Sequence, residues 1–396
     1  MGNCFAGKRI VVGVTGSIAA FKVAGWVSTL VKEEAEVKVI MTESATRFVT
    51  PLTFSALTGI KTVGDMFAES DDPMLHISLG GEADVLLIAP ATANTIASLA
   101  AGIADNLLTS TALVTRTKVL VCPAMNTRMY DHPATIENIQ KLKTFGYEII
   151  EPGYGRMACR DEGKGRLADW EIVEEYLARA LTQQDLAGKT VLVTAGPTRE
   201  PIDPARFLSN RSSGKMGYAI ARAAFRRGAK VILVSGPTAL TCPAGVKRLE
   251  VQTAQEMYET VLQHSEQADI IIKSAAVADY RPGEQAVHKV KKEEISPALS
   301  LVQNPDILLE LGRRKKKGQL LIGFAAESRR LREEGEKKLK RKNLDLIAVN
   351  NISGENTGFE SESNQLLLLS KSRVEQLPLT GKLHTADLLL DRICSL

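Results

Sequence analysis

The sequence has few cysteines, and no two of them are spaced as a pair. The five cysteines lie at positions 4, 122, 159, 242 and 394, an odd number without CxxC spacing. This pattern argues against a structural zinc site and a disulfide framework, and it is typical of proteins in a reducing compartment. We therefore expect a cytoplasmic protein.

Long apolar runs and an excess of charge are also missing. No run approaches the roughly 20 residues that cross a membrane, and no segment has the charged-then-apolar form of a signal peptide. We therefore expect no membrane association. The 50 basic and 46 acidic residues leave a formal net charge of +4, which does not favour a nucleic-acid partner. A nucleic-acid-binding protein is one alternative; it rests on basic clusters such as 313–317 and predicts salt-sensitive binding.

A repeated α/β rhythm is present throughout the chain. With 396 residues, 44% of them hydrophobic, the sequence is long enough for two domains with ordinary cores. Short runs of Val, Ile and Leu alternate with helix-like stretches, as in doubly wound, Rossmann-like domains with buried parallel strands. The sequence predicts two such domains, 1–187 and 188–396, joined through a polar linker at 182–188. The predicted strands are 10–14, 37–41, 85–89, 119–121 and a run ending at 150, then 191–194, 231–234, 270–273, 320–324 and 344–349.

Three other segments complete the predicted architecture. The glycine-rich, charged segment 153–168 is predicted to be an excursion or lid. Residues 329–342 predict a charged helix with the ion pairs Glu333–Lys337 and Glu334–Lys338 at helical spacing. The runs 365–369 and 374–377 predict an antiparallel hairpin at the edge of the second sheet.

The segment 194–217, TAGPTREPIDPARFLSNRSSGKMG, is predicted to be a long loop between a strand and the helix 218–227. Its glycines, serines, arginines and lysine precede a helix N-terminus, which suits a phosphate or carboxylate ligand. It is not a Walker P-loop, because Ser209 stands where that motif needs glycine and Met216 stands where it needs Ser or Thr. A polar connector is the alternative, and the role of Lys215 stays unassigned.

The first half offers a candidate phosphate turn. Gly16 and Ser17 follow the first strand and precede a helix, so the backbone and the serine could contact a phosphate. The segment 13–18 does not satisfy the GxGxxG fingerprint, which disfavours NAD and leaves a mononucleotide such as FMN. A tight turn with a helix cap is the alternative interpretation.

Candidate catalytic groups of the first half are scattered. His76 is isolated, and catalysis by it competes with an ordinary surface role. Asn94 and Asn126 follow the third and fourth strands, where open α/β sheets bind ligands; a simple turn is the alternative for each. Cys159 lies between two arginines, which should lower its thiol pKa and allow it to transfer a proton.

The second half adds a strand-end acid and basic groups. Asp279 follows a predicted strand, and Lys289 opens the run KVKK. Lysines near such an acid suit a triphosphate with its magnesium. A solvated charge run is the alternative for the lysines.

Taken together, these motifs resemble a known family. GSIAAFK, HISL, PAMNTRMY and ACRDEGKGR occur in the first half, and AAVADYRP, KVKK, NPDIL and GFAAES follow the segment 194–217. From about Lys8 to Leu390 the chain resembles the bacterial bifunctional coenzyme A biosynthesis proteins, in which phosphopantothenoylcysteine decarboxylase is fused to phosphopantothenate–cysteine ligase. Phe21, Tyr130 and Ser328 depart from the residues common in the family, without removing a catalytic group.

The resemblance implies that the first domain is a flavodoxin-like flavoprotein. FMN would oxidise the carbon bearing sulfur, which provides the electron sink for loss of CO2. His76 would act at the active site, Asn126 would hold the substrate carboxylate and Cys159 would supply a proton. The residues implied to bind FMN are Gly16, Ser17, Ile18, Ala19, Thr42, Thr92, Asn94 and Met125.

For the second domain, the resemblance implies a CTP-dependent ligase. The phosphopantothenate carboxylate would form an acyl cytidylate, which Asn210 positions for attack by the cysteine amine. Magnesium would be held mainly by the CTP phosphates, with its protein ligands unknown. The residues implied to contact CTP are Asp279, Lys289, Pro305, Asp306, Ile307, Leu308, Phe324, Lys338 and Lys342, with Lys289 also catalytic.

The resemblance further implies a homo-oligomer, with decarboxylase trimers that assemble into a dodecamer and ligase domains that pair. The expected partners are the small molecules 4'-phosphopantothenate, L-cysteine and CTP. The alternative function is a flavin-binding regulatory protein whose catalytic sites are vestigial.

Overall fold

The computed structural model describes residues 4–67, 72–156, 160–291, 298–351 and 361–396. The chain divides into two compact units between Thr182 and Gln183, at the start of the segment predicted to be the linker. Within these described ranges, no helix is both long and apolar enough to cross a membrane.

The N-terminal unit follows the predicted alternation of strands and helices. Its elements are β1 (Arg9–Val14), α1 (Ala20–Lys32), β2 (Glu36–Met41), α2 (Glu43–Thr46), α3 (Pro51–Thr58), α4 (Leu75–Glu82), β3 (Val85–Ala91), α5 (Ala93–Ala101), α6 (Leu107–Val114), β4 (Lys118–Pro123), α7 (Thr127–Tyr130), α8 (Pro133–Thr144), β5 (Glu148–Ile149), β6 (Gly153–Arg156), β7 (Glu162–Arg166) and α9 (Trp170–Leu181).

The main sheet of this unit has five parallel strands in the order β2-β1-β3-β4-β5. Val12 and Leu87 belong to a buried layer with α1 and α9, whereas Val11 and Leu86 belong to a second layer with α5, α6 and α8. Both faces of the sheet are therefore covered, which confirms the doubly wound prediction. The strand order reverses between β1 and β3, and ligands of such sheets bind at the carboxyl ends beside that point.

The segment predicted to be a lid contains an antiparallel hairpin formed by β6 and β7. The residues 157–159 between the two strands lie outside the described residues, and the prediction for Cys159 falls there. The backbone amide of Met125, after β4, donates to the carbonyl of Gly165 at 3.0 Å. The hairpin is thereby attached to the carboxyl end of the sheet.

The C-terminal unit repeats the alternation with additional strands. Its elements are β8 (Thr190–Ala195), β9 (Arg199–Asp203), β10 (Arg206–Ser209), α10 (Lys215–Arg226), β11 (Lys230–Ser235), β12 (Lys247–Glu250), α11 (Ala254–Ser265), β13 (Ile270–Lys273), β14 (Tyr280–Pro282), β15 (Leu301–Gln303), α12 (Ile307–Arg314), β16 (Leu320–Glu327), α13 (Leu331–Arg341), β17 (Leu346–Asn351), β18 (Ser363–Asn364), β19 (Leu366–Ser370), β20 (Val374–Gln376), β21 (Thr380–Gly381) and α14 (Lys382–Cys394).

Eight strands form the main sheet of this unit in the order β12-β11-β8-β13-β16-β17-β19-β20. The first six are parallel, and β19 and β20 add an antiparallel hairpin at the edge, as predicted. Helices α11, α12 and α13 contribute to one buried layer. Helix α10 contacts β8 and β11 and packs against α14.

The prediction of an uninterrupted loop over 194–217 is wrong. The segment contains the antiparallel hairpin β9–β10, and α10 begins at Lys215 instead of Tyr218. The buried carboxylate of Asp203 closes the hairpin turn by accepting the backbone amides of Ala205 and Arg206 at 2.8 and 2.9 Å. The Arg206 guanidinium also binds this carboxylate and holds the pKa of Asp203 well below its usual range.

Candidate functional site

The phosphate turn predicted after β1 lies at the point where the strand order reverses. The buried Thr15 hydroxyl donates to the carbonyl of Pro90 at 2.6 Å and accepts the amide of Thr92 at 3.1 Å. These bonds connect the carboxyl ends of β1 and β3. A Cβ atom on Gly16 would lie 2.5 Å from the Ser44 Cβ. Only glycine therefore fits where the backbone at position 16 passes close to Ser44.

The other residues predicted to bind FMN surround the same strand ends. Ser17 accepts the amide of Ala19 at 3.4 Å ahead of α1, and Ile18 is 55% exposed. Thr92 caps α5 by accepting the Thr95 amide at 3.3 Å, and Asn94 lies in the first turn of that helix. Met125 is half-buried after β4.

We call the turns that follow β1, β2, β3 and β4 the cradle. Thr42 provides the strongest sign that the cradle binds a polar ligand. It follows β2, and its amide donates to the carbonyl of Val14 at 3.0 Å. Its hydroxyl is buried without a hydrogen-bond partner, which costs about 1–3 kcal/mol. A bound phosphate or heterocycle could supply the missing partner, so the residues present fit a mononucleotide.

Asn126 connects the β6–β7 hairpin to the sheet. Its side-chain oxygen accepts the Arg128 amide at 2.9 Å and caps α7. Its amide nitrogen donates to the Asp161 carboxylate at 2.9 Å. A Cβ on Gly163 would lie 2.7 Å from the Thr127 hydroxyl oxygen, so the hairpin packs closely against the start of α7. Sequence reasoning identified Asn126 but missed Asp161, whose only signal was its place two residues after Cys159.

His76 is the second residue of α4 and is half-buried. Helix α4 packs against α6. The structure therefore places His76 in a short helix that precedes β3 in the chain.

The C-terminal unit contains a cavity of about 370 Å³. Six of the residues predicted for this unit line it: Asn210, Asp279, Leu308, Phe324, Lys338 and Lys342. The lining also includes Lys215, Lys273 and Lys382, so five lysines and one carboxylate of the described ranges face the same space. Such a cavity suits a strongly anionic ligand.

One end of the cavity is formed by basic groups held by acids. Lys342 donates to Asp306 at 2.9 Å, and Asp306 also caps α12 by accepting the Leu309 amide at 3.0 Å. Burial opposes ionisation of Asp306, but the bond from Lys342 keeps its pKa below the usual value. Lys338 donates to Glu327 at 2.6 Å. The predicted pair Glu334–Lys338 is therefore wrong, and Glu334 pairs with Lys337 instead, at 2.7 Å.

Lys273 at the end of β13 was missed as a site residue. Burial and the positive charge of Lys342 lower its pKa to about 8, and its ammonium group donates to the carbonyl of Ala275 at 3.2 Å. A lysine that ends an otherwise apolar strand, IIIK, is the signal that could have identified it. Asn350 at the end of β17 was also missed; its side-chain oxygen is buried in the cavity wall without a partner.

Asn210 is placed by the β9–β10 hairpin. Its side-chain nitrogen donates to the carbonyl of Ala276 at 3.1 Å, just beyond β13. The preceding Ser209 hydroxyl donates to the carbonyl of Thr198 at 2.8 Å, and the Thr198 hydroxyl accepts the Ala278 amide at 3.0 Å. The structure thus brings Asn210 together with Asp279 in the cavity.

Lys289 does not line the cavity. It is exposed on a loop whose next residue, Val290, is held by the hairpin: its amide donates to Asp203 at 3.3 Å and its carbonyl accepts Arg206 at 3.0 Å. Pro305, Asp306 and Ile307 are likewise not among the lining residues, but they begin the helix that presents Leu308. No cluster of three His, Cys, Asp or Glu side chains arranged to hold a metal occurs in the described ranges.

Comparisons with known proteins agree with the two-unit architecture. A family described as Flavoprotein matches residues 3–182, and a family described as DNA/pantothenate metabolism flavoprotein C-terminal domain matches residues 186–396. The "Coenzyme A biosynthesis bifunctional protein CoaBC" of Bacillus subtilis is 46% identical over 98% of this chain and 97% of its own length.

Further relatives carry the same name. That of Haemophilus influenzae is 43% identical over 98% of this chain and 97% of its own length. A solved structure of the C-terminal domain of a CoaBC protein is 46% identical, covers 54% of this chain and 97% of that one, and has a TM-score of 0.47. Because the relatives from Bacillus subtilis and Haemophilus influenzae are 46% and 43% identical over 98% of this chain, the chain belongs to the family of coenzyme A biosynthesis bifunctional proteins.

Proposed function

We propose that this protein carries out two reactions of coenzyme A biosynthesis. The domain 188–396 joins L-cysteine to 4'-phosphopantothenate at the expense of CTP. The domain 1–187 then decarboxylates 4'-phosphopantothenoylcysteine to 4'-phosphopantetheine. Family membership over 98% of the chain is the observation that carries the proposal, and the lysine-rich cavity and the cradle at Gly16 and Thr42 give each reaction a chemically suitable site.

The cavity in the C-terminal unit suits activation of a carboxylate by a nucleotide. The carboxylate oxygen of phosphopantothenate attacks the α-phosphorus of CTP, and pyrophosphate leaves with the electrons of the broken P–O bond. The lysines of the cavity offset the triphosphate charge, and Mg²⁺ is held mainly by the phosphates of CTP. Phe324 and Leu308 provide the apolar wall for the base, beside Asp279.

The second step of the ligase reaction requires that the acyl group be positioned for attack by the amine. The cysteine amine attacks the acyl carbon, and CMP departs with the electrons of the acyl–oxygen bond. Asn210 positions the acyl cytidylate, because its amide is fixed on the Ala276 carbonyl at the cavity edge. Lys289 acts in this reaction from the loop that Asp203 and Arg206 anchor through Val290.

The cradle in the N-terminal unit suits FMN. Gly16, Ser17, Ile18 and Ala19 lie at the switch point for the phosphate, with Thr42, Thr92, Asn94 and Met125 around the same strand ends. When bound, FMN supplies the oxidation that provides an electron sink for decarboxylation. Asn126 holds the substrate carboxylate, His76 acts at the site and Cys159 supplies a proton; Cys159 lies outside the described residues.

We further propose that the protein works in the cytoplasm on small-molecule substrates and as a homo-oligomer. Trimers of the decarboxylase domain would assemble into a dodecamer, with the ligase domains pairing. Sedimentation of the full chain with and without FMN measures this assembly, and a monomer at all concentrations would contradict it.

The purified full chain tests the function directly. We expect a flavin absorbance spectrum and, on addition of phosphopantothenate, cysteine, Mg²⁺ and CTP, stoichiometric pyrophosphate and CO2. ATP in place of CTP serves as the nucleotide control. Flavin absorbance without pyrophosphate or CO2 would favour a regulatory protein with vestigial sites. The absence of both flavin absorbance and product formation would refute the proposal.

Two variants separate the reactions. Lys289→Gln should lose ligation and keep decarboxylation of added phosphopantothenoylcysteine, whereas Cys159→Ala should keep ligation and yield no phosphopantetheine. Full turnover by either variant in its affected reaction would contradict the role given to that residue.

A further inference from the structure

Two helices of the C-terminal unit direct their N-termini at the same part of the cavity. The first residues of α10 and α14, Lys215 and Lys382, both line it. Arg227, just after α10, donates to the Asp387 carbonyl at 3.2 Å and to the Asp391 carboxylate at 2.7 Å, both in α14. The two helices therefore run in the same direction, with their N-termini adjacent.

This arrangement places positive charge where the fold disfavours it. A helix N-terminus carries partial positive charge, so cations are stabilised at the C-terminus instead. The capping positions, Gly214 and Gly381, have no side chain that could accept the first amides of the two helices. Lys382 is also only 7% exposed. Burial and the nearby charge of Lys215 lower the pKa of Lys382, as expected where two ammonium groups share a confined space.

Glu362 carries a charge that acts on both lysines. It forms an ion pair with Lys215, and this hydrogen bond lowers the pKa of Glu362. Its backbone carbonyl accepts the Lys382 amide at 3.2 Å. Its side chain is 84% exposed, so the carboxylate can move into solvent when another anion takes its place beside the lysines.

The surroundings of the lysines differ between the two ends of the cavity. Lys338 and Lys342 donate to the carboxylates of Glu327 and Asp306, at 2.6 and 2.9 Å. Lys215 and Lys382 lie at the N-termini of α10 and α14 and interact with Glu362. The helix N-termini add partial positive charge at this end, and a dense anion such as a phosphate chain would be stabilised there.

We propose that Lys215 and Lys382 bind the β- and γ-phosphates of CTP, hold pyrophosphate as it leaves, and exchange Glu362 for these phosphates. The inference rests on the proposed ligase function and assigns residues within that site. When the bond between the α-phosphorus and the bridging oxygen breaks, the electrons and the new negative charge stay on pyrophosphate. Two ammonium groups and two helix N-termini next to that oxygen stabilise the charge.

The test is calorimetric titration of the full chain with MgCTP, pyrophosphate and CMP. Lys382→Gln removes one charge from the phosphate end, and Lys317→Gln removes one from an exposed turn outside the cavity. We expect Lys382→Gln to weaken CTP and pyrophosphate at least about tenfold, with CMP affinity kept within about twofold. Lys317→Gln should bind all three as the wild type does.

The possible outcomes distinguish failure of this inference from failure of the proposed ligase function. A wild type that binds neither CTP nor pyrophosphate would refute the ligase proposal. A wild type that binds both, with a Lys382→Gln variant that binds them equally well or loses CMP to the same degree, would overturn the inference alone. If Lys382→Gln fails to fold, the variant Glu362→Gln tests the same inference. Removal of the competing carboxylate should tighten pyrophosphate binding, and an unchanged affinity would refute the replacement of Glu362 by the phosphates.

Discussion

We expect the charged side chain of Lys273 to destabilise the folded C-terminal unit. Its ammonium group is partly enclosed at the end of β13, and burial together with Lys342 lowers its pKa from 10.5 to about 8. At about 1.4 kcal/mol per pH unit, that difference corresponds to ~3 kcal/mol of destabilisation at neutral pH. The group keeps some solvent contact, so Lys273→Met should stabilise the C-terminal unit by about 1–3 kcal/mol.

The sign of the pH dependence follows from the direction of the shift. Below pH 8, Lys273 is charged in both the folded and the unfolded chain, so the destabilisation is present in full at pH 7. As the pH rises from about 8 toward 10.5, the folded protein releases the proton before the unfolded chain does, and the wild type gains stability. The advantage of Lys273→Met should therefore be largest at pH 7 and shrink by pH 9.5.

Differential scanning calorimetry of the full chain measures this difference. The relevant transition is the one that CTP raises in the wild type. At about 2–4 °C per kcal/mol for a domain of this size, Lys273→Met should raise its Tm by several degrees at pH 7. Lys317→Met, which replaces an exposed lysine, serves as the matched control and should leave the Tm within about 1 °C.

Function should change in the opposite direction. Without the ammonium group, CTP-dependent pyrophosphate release should fall at least about tenfold, since a buried charge-assisted contact to phosphate is lost. A variant with a lower Tm at pH 7, or an advantage that grows toward pH 9.5, would refute the reasoning. Such a result would mean that the ammonium group is stabilised in the fold by its acids more than it is penalised by burial.

Three further predictions concern other parts of the chain. Gly16→Ala should lose flavin absorbance because its Cβ would lie 2.5 Å from a neighbouring side chain, whereas Gly25→Ala, with open space around it, should keep the flavin; equal flavin content would contradict the cradle. Arg227→Ala should lower the unfolding free energy by about 1–3 kcal/mol in denaturant titrations, because it removes a buried guanidinium that bonds Asp185, Asp391 and the carbonyl of Asp387; an unchanged midpoint would show that the cluster adds nothing. Asp161→Ala should reduce the decarboxylation kcat at least about tenfold through a misplaced Asn126, with ligation as the internal control; equal loss in both reactions would point to general unfolding.

The architecture could be predicted because it follows from local rules. Buried parallel strands appear as continuous runs such as Val85 to Ala89, and the helices between them have apolar faces of helical period. The edge hairpin after β17 was predicted from two short runs, 365–369 and 374–377, and the polar residues between them. The hairpin β9–β10 was missed, because its strands carry Arg, Glu and Pro, and its stability depends on the buried Asp203 carboxylate, which composition does not reveal.

The candidate sites could be predicted only in part. Motif residues such as Asn126 and Asn210 lie at strand ends, where ligands bind in open sheets, and sequence order is enough to place them there. Lys273 and Lys382 depend on which strands and helices become neighbours. Their burial, their shared cavity and their altered pKa values arise from residues that are distant in the chain, since Lys342 lies 69 positions after Lys273 and Lys382 lies 167 positions after Lys215.

The sequence by itself therefore determined the alternation of strands and helices, the family, and the residues that carry its motifs, because these depend on periodicity and on short segments. Only the tertiary structure decided which charges share a cavity. Helices α10 and α14 begin 167 residues apart, yet their packing brings Lys215 and Lys382 to one wall. Electrostatic energy depends on distance in space and on burial, and neither is fixed until the chain has folded.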